Sequence, residues 1–133
     1  MDDMSPADGT SQQRRERGLA KMNEVYGWDM TDQPGDFFAV TAEHLFGEIW
    51  TRPGLTIDQR RLLLIGLLAG AGRHDILDIQ LDSAYRRGEL DDTALREIVI
   101  FLAHYAGWPV AATLNSQVEK LIAKHRKAAS DST

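Results

Sequence analysis

The segment from Ile57 to Ala71, IDQRRLLLIGLLAGA, constrains this chain more than any other. It is too long for an ordinary strand, and beyond Arg61 it carries no polar side chain. Thr56-Ile57-Asp58-Gln59 in front of it is a capping-box pattern, with threonine at the N-cap and glutamine three residues on. The expectation is a helix that is apolar almost all round. Such a helix belongs in the centre of a core or in a subunit interface, because it has no face to give to water.

The flanking sequence is also helical in period. Gln12 to Tyr26 places Leu19, Met22, Val25 and Tyr26 at spacings of three and four. Gly27 to Gly35 contains Pro34 and two glycines and reads as a loop. Asp36 to Trp50 carries Phe37, Val40, Leu45 and Ile49 on one broad face and stops at Arg52-Pro53-Gly54. Further helices are predicted over Asp75–Arg87, from Asp91 or Asp92 to Tyr105, and from about Val110 to Lys127, with Gly107 and Pro109 as the last break. Gly66, Gly70 and Gly72 are read as small residues within a helix that permit close helix packing, not as a nucleotide fingerprint, since no strand precedes them. No stretch alternates with period two. The fold class is all-α, one domain of six or seven helices over 12–126. A polar, breaker-rich segment at 1–11 and a tail at 127–133 are expected to be disordered or to fray.

Charge and composition remove several function classes. With no cysteine, disulfides, thiolate metal sites and thiol catalysis are excluded. A net charge of −5 makes a poor general binder of phosphate backbone, so no nucleic-acid partner is expected. No apolar run approaches a membrane span, and the polar Met1–Gln13 does not read as a signal peptide. A cytoplasmic location is expected.

Several residues are candidates for chemistry. No two of His44, His74, His104 and His125 stand at the i,i+4 spacing of a helical zinc motif, so no metal site is expected. His44 and Glu48 are four apart, the spacing of a pair on a solvated helix face. His104 lies in FLAHYAGWP, near the end of an apolar helix, either as an acid–base group or as a histidine hydrogen-bonded at a helix end. Tyr105 and Trp108 are pocket-lining candidates or simply core. Arg52, Arg60 and Arg61 cluster around one turn, and a guanidinium fork suits a planar carboxylate. Arg60 and Arg61 also open a helix, where a cation opposes the macrodipole and needs a partner. That partner is Glu48, a neighbouring subunit's acid or a substrate carboxylate. Glu48, in FGEIWTRPG, is either a proton donor and acceptor or the mate of Arg52.

Three segments in order, FGEIWTRPGLTIDQRRLLLIGLLAGAGR, DSAYRRGEL and LREIVIFLAHYAGWPVA, closely resemble the carboxymuconolactone decarboxylase family over roughly residues 37–122. The resemblance implies an alkylhydroperoxidase D-like all-α fold assembled into rings, commonly hexamers built as trimers of dimers. One branch of that family uses a Cys-x-x-Cys pair followed by a histidine. The matching positions here are Arg73, Ile76 and Gln80, so that thiol chemistry is impossible in this chain. The other branch lacks the cysteines and decarboxylates γ-carboxymuconolactone without a cofactor. It usually keeps a histidine where Gln80 stands here, and many relatives carry another at Phe101. Gln80 cannot transfer a proton near neutral pH, and His104, three residues beyond Phe101, is placed to substitute. For an enzyme acting on a small anionic substrate, the residues expected to carry the chemistry are His104 and Glu48 for proton transfer, Gln80 as a neutral hydrogen-bonding group, and Arg52 and Arg61 for anion binding. A non-catalytic binding or scaffold protein that keeps the ring is the alternative.

Overall fold

The computed structural model of the protein describes residues 9–132. Residues 1–8 and 133 lie outside that range, so the expectation of disorder over 1–11 and of fraying over 127–133 falls partly outside the described residues. Within it the chain is all-helical, with six helices and no strand among the described residues: α1 (Ser11–Tyr26), α2 (Asp36–Val40, continuing as a π-helix over Thr41–Ile49), α3 (Ile57–Gly70), α4 (His74–Arg86), α5 (Asp92–Ala106) and α6 (Trp108–Asp131). The described residues fall into two compact units, divided between Ile57 and Asp58.

In the first unit, α1 opens with a reciprocal capping box. The Gln13 N–H donates to Thr10 Oγ1 at 3.1 Å, and the Thr10 N–H donates to Gln13 Oε1 at 2.8 Å. Met22 and Val25 of α1 and Ala42, Phe46 and Trp50 of the next helix are buried. Tyr26 packs on Trp28 and Phe46, and Phe46 stacks on Trp50 at 5.7 Å. The second helix widens to i→i−5 bonding, as in the Trp50 N–H donating to the Leu45 carbonyl at 2.9 Å. The two helices touch backbone to backbone. A Cβ on Gly18 would lie 1.6 Å from the Ala42 carbonyl oxygen, and one on Gly47 would lie 2.7 Å from the Arg14 carbonyl oxygen. Close packing through glycine therefore sits here and not at Gly66, Gly70 and Gly72, where an added Cβ meets nothing within 4 Å. Gly72 also lies outside α3, which ends at Gly70.

In the second unit, Ile65 and Ala69 of α3, Leu77 and Leu81 of α4, Leu95, Val99 and Ala103 of α5, and Ala111, Leu114, Val118, Leu121 and Ile122 of α6 form one core. Only Gly107 separates α5 from α6. Its φ of 100° with ψ of 156° is a conformation open essentially to glycine alone. Pro109 falls in the first turn of α6, where its missing N–H has no helical partner to lose, so the helix begins at Trp108 rather than near Val110. The same helix runs past Lys127 to Asp131. No helix among the described residues is long and apolar enough to cross a membrane.

Candidate functional site

The second unit buries a polar cluster around Arg61. α3 turns Arg61, Ile65 and Ala69 inward at intervals of four residues. The Arg61 side chain is fully buried, and its Nε and Nη2 donate to Glu89 Oε1 and Oε2 at 3.0 and 3.2 Å. This is a bidentate fork, with the Glu89 side chain 3% exposed. Arg61 Nη1 donates to Gln80 Oε1 at 2.7 Å. Gln80, on the buried side of α4, is 3% exposed. Arg87 Nε reaches Glu89 Oε2 from the solvent side at 2.6 Å. Two guanidinium groups thus share one carboxylate.

Glu89 owes its place to how α4 ends. The Gly88 N–H donates to the Tyr85 carbonyl and the Glu89 N–H to the Ala84 carbonyl, at 3.1 and 2.9 Å. Gly88 has φ of 75°, so the end is a Schellman motif with glycine in its left-handed position. That turn folds Glu89 back over the last turn of α4.

A second group stands at the α5–α6 junction. The His104 ring Nδ1 lies 2.7 Å from the Ile100 carbonyl oxygen, so Nδ1–H donates one turn back along its own helix. The ring meets Trp108 edge-on at 5.5 Å, and Tyr105 lies against Phe101 at 5.1 Å. His104, Tyr105 and Trp108 are all exposed. Beside them α3 and α5 frame an open apolar groove of about 660 Å³, lined by Leu62, Leu63, Leu67, Phe101 and neighbours.

In the first unit, Glu48 pairs with Arg14 Nε at 3.4 Å and with His44 Nδ1 at 3.6 Å. His44 is 57% exposed, as an i,i+4 partner on a wet face should be. Arg52 is exposed in the turn after the π-helix. The structure thus joins Arg61 to Gln80 and gathers His104, Tyr105, Phe101 and Trp108, while Glu48 has its own ion-pair partners. The partner that Arg61 needs is Glu89, which sequence reasoning passed over along with Arg87. The signal was present: an acidic residue directly after the glycine of a predicted helix end, facing a helix start that carries excess positive charge.

Elsewhere on the second unit, Asp82 meets His125 Nε2 at 3.0 Å and Arg86 Nε at 2.7 Å. Burial pushes the Asp82 carboxyl up, but the hydrogen bonds from His125 and Arg86 and the Arg86 charge together outweigh it and hold the group below its ordinary value. Tyr85 donates its hydroxyl to Asp92 at 2.6 Å, which lowers the Asp92 carboxyl and raises the phenol. No group of three His, Asp or Glu side chains among the described residues is placed to hold a metal ion.

Over 118 residues the chain is 30% identical to a 4-carboxymuconolactone decarboxylase of Acinetobacter baylyi, an alignment that spans 83% of this chain and 87% of that one. Over 86 residues it is 33% identical to the nitrosuccinic acid decarboxylase npaB of Metarhizium robertsii, 59% of each chain. No family model matches the chain, and no solved structure matches it.

Proposed function

Because the chain belongs to the carboxymuconolactone decarboxylase family, we propose that it is a cofactor-free decarboxylase, or a related lyase or isomerase, acting on a small carboxylated lactone or ketone in aromatic-compound catabolism. The observation that carries the reading is the Arg61–Gln80 contact, which buries an oriented carboxamide within a polar cluster of the second unit. Loss of CO2 breaks a carbon–carbon bond and sends its electron pair into the conjugated carbonyl of the substrate. The resulting enolate needs donors aimed at its oxygen and an acid that returns a proton to carbon. Arg61 has only donors, so the Gln80 atom that faces it is the oxygen. In this reading His104 moves the proton, Arg61 supplies positive potential, and Tyr105 and Trp108 wall the substrate. The protein acts as a cytoplasmic homo-oligomer, a hexamer built as a trimer of dimers, with a second copy covering the exposed Leu62, Leu63, Leu67 and Phe101.

One observation favours the alternative, a non-catalytic binding protein. Glu89 neutralises Arg61, so that cation's charge is already matched before any substrate arrives. Turnover of γ-carboxymuconolactone by the purified protein, followed as CO2 release, separates the two. His104→Ala should lower the rate by about 10²–10⁴-fold, the usual contribution of a general acid–base. An unchanged rate per folded site with a lowered melting temperature removes His104 from the machinery. No turnover by the wild-type protein of this lactone or related carboxylated ketones favours the binding protein.

A further inference from the structure

We propose that the cleft between α4 and α6 binds a small zwitterion, a molecule with one carboxylate and one ammonium on an apolar stem, as in an α-amino acid. The cleft measures about 310 Å³ and shares no residue with the α3–α5 groove, so the inference is independent of the decarboxylase reading. At about 30 Å³ for each water, that is room for roughly ten water molecules. Two side-chain rungs join the helices here. In one, Gln117 Nε2 donates to Asp78 Oδ1 at 2.6 Å and to the His74 carbonyl at 2.8 Å, and His74 Nδ1 lies 2.8 Å from Gln117 Oε1. In the other, His125 Nε2 and Arg86 Nε hold the two oxygens of Asp82 at 3.0 and 2.7 Å. Asp78 and Asp82 stand one turn apart on α4, Lys120 and Lys124 one turn apart on α6, and all four line the cleft. The buried Leu81 and Leu121 give it an apolar lining. The rungs fix the carboxylates, while no hydrogen bond or ion pair engages the Lys120 or Lys124 ammonium among the described residues. Pairing of these lysines with the aspartates across the cleft would be a surface interaction, which costs a ligand little to replace. The charges select what enters. A dianion meets two carboxylates and a dication meets two ammonium groups, so like-charge repulsion disfavours both. A ligand with one charge of each sign sets its carboxylate on the lysines and its ammonium on the aspartates, and lays its stem on the two leucines.

The test titrates the full-length protein at neutral pH with three probes of one stem and follows the assigned backbone amides by 15N–1H NMR. L-leucine carries both charges, isocaproate only the carboxylate, and isoamylamine only the ammonium. Leucine should shift the amides of 78–82 and 117–124 with a Kd of about 1 mM or tighter. Each singly charged probe should bind about tenfold more weakly, the scale of one lost charged hydrogen bond. The double variant Lys120→Gln, Lys124→Gln should weaken leucine about tenfold and leave isoamylamine unchanged. Asp78→Asn should weaken leucine about as much and leave isocaproate unchanged. All three altered side chains are exposed, and melting temperatures on the same samples check that the fold is kept. No shift in these two stretches at about 10 mM leucine, ten times the expected Kd, overturns the proposal. Leucine and isocaproate binding equally well overturns it, since the aspartates then select nothing, and leucine and isoamylamine binding equally well does the same for the lysines. Should Asp78→Asn unsettle the Gln117 rung, the ranking of the three probes on the wild-type protein decides by itself.

Discussion

Replacing Gly18 by alanine tests the packing of the first unit, because two effects of opposite sign compete and their sizes differ. In an open helix, Gly→Ala stabilises by up to about 1 kcal/mol through lost unfolded-state freedom and better propensity. At Gly18 the new Cβ would stand 1.6 Å from the Ala42 carbonyl oxygen and 2.5 Å from its carbon. A relaxed carbon–oxygen contact is about 3.3 Å or more, so the helices must part by roughly 1.5–2 Å. The obstacle is backbone, which has no rotamer to change. The cost should therefore sit at the upper end of the ~1–3 kcal/mol typical of overpacking, since Met22, Phe46 and Trp50 lose contact as the helices separate. The net effect is a loss of about 2 kcal/mol. With a urea slope of about 2 kcal/mol/M, the unfolding midpoint falls by about 1 M. Tryptophan fluorescence reports the event through Trp28 and Trp50. Gly70→Ala, exposed and with nothing within 4 Å of its added Cβ, is the control and should leave the midpoint unchanged or raise it. A raised midpoint in Gly18→Ala would show that propensity alone acts there and that the two helices do not meet at residue 18.

Two further outcomes are expected. Leu67, 66% exposed on α3, should tolerate Glu in the folded chain but should reduce a multimer to a mass near 14.9 kDa in light scattering; a wild-type protein already at that mass removes the oligomer from the proposed function. The Tyr85 hydroxyl and then Arg126 hold the Asp92 carboxyl below its ordinary value in the folded state, so its contribution to stability is present above about pH 4 and is lost as the pH falls through the lowered folded-state value. Urea midpoints taken from pH 6 downward should therefore drop more steeply for the wild type than for Asp92→Asn, and parallel curves would refute that assignment.

What the sequence determined by itself is the local part of the fold. Breakers and caps act over a few residues, so Gly27 with Pro34, Arg52-Pro53-Gly54, Gly88 and Gly107 marked the helix ends to within a few positions. The pairing of His44 with Glu48 was legible for the same reason, since an i,i+4 contact needs no tertiary structure. The histidine, aromatic and proline pattern around Gly107 likewise marked the α5–α6 junction, though not that Pro109 would sit inside the new helix. What only the tertiary structure decided is which side of each helix faces inward and what meets across sequence. A helix apolar all round has no periodicity to rank its faces, so nothing in Leu62 to Ala71 announced that Ile65 and Ala69 would be buried while Leu63 and Leu67 stayed exposed. The direct approach of Gly18 to Ala42 depends on the angle at which two helices cross, a quantity no single-helix pattern encodes. The Arg61 partner, 28 residues away, was open for a similar reason. Sequence chemistry required an anion beside that guanidinium, but Glu89 became the answer only through a left-handed glycine that folds it back over α4 onto a buried arginine of α3.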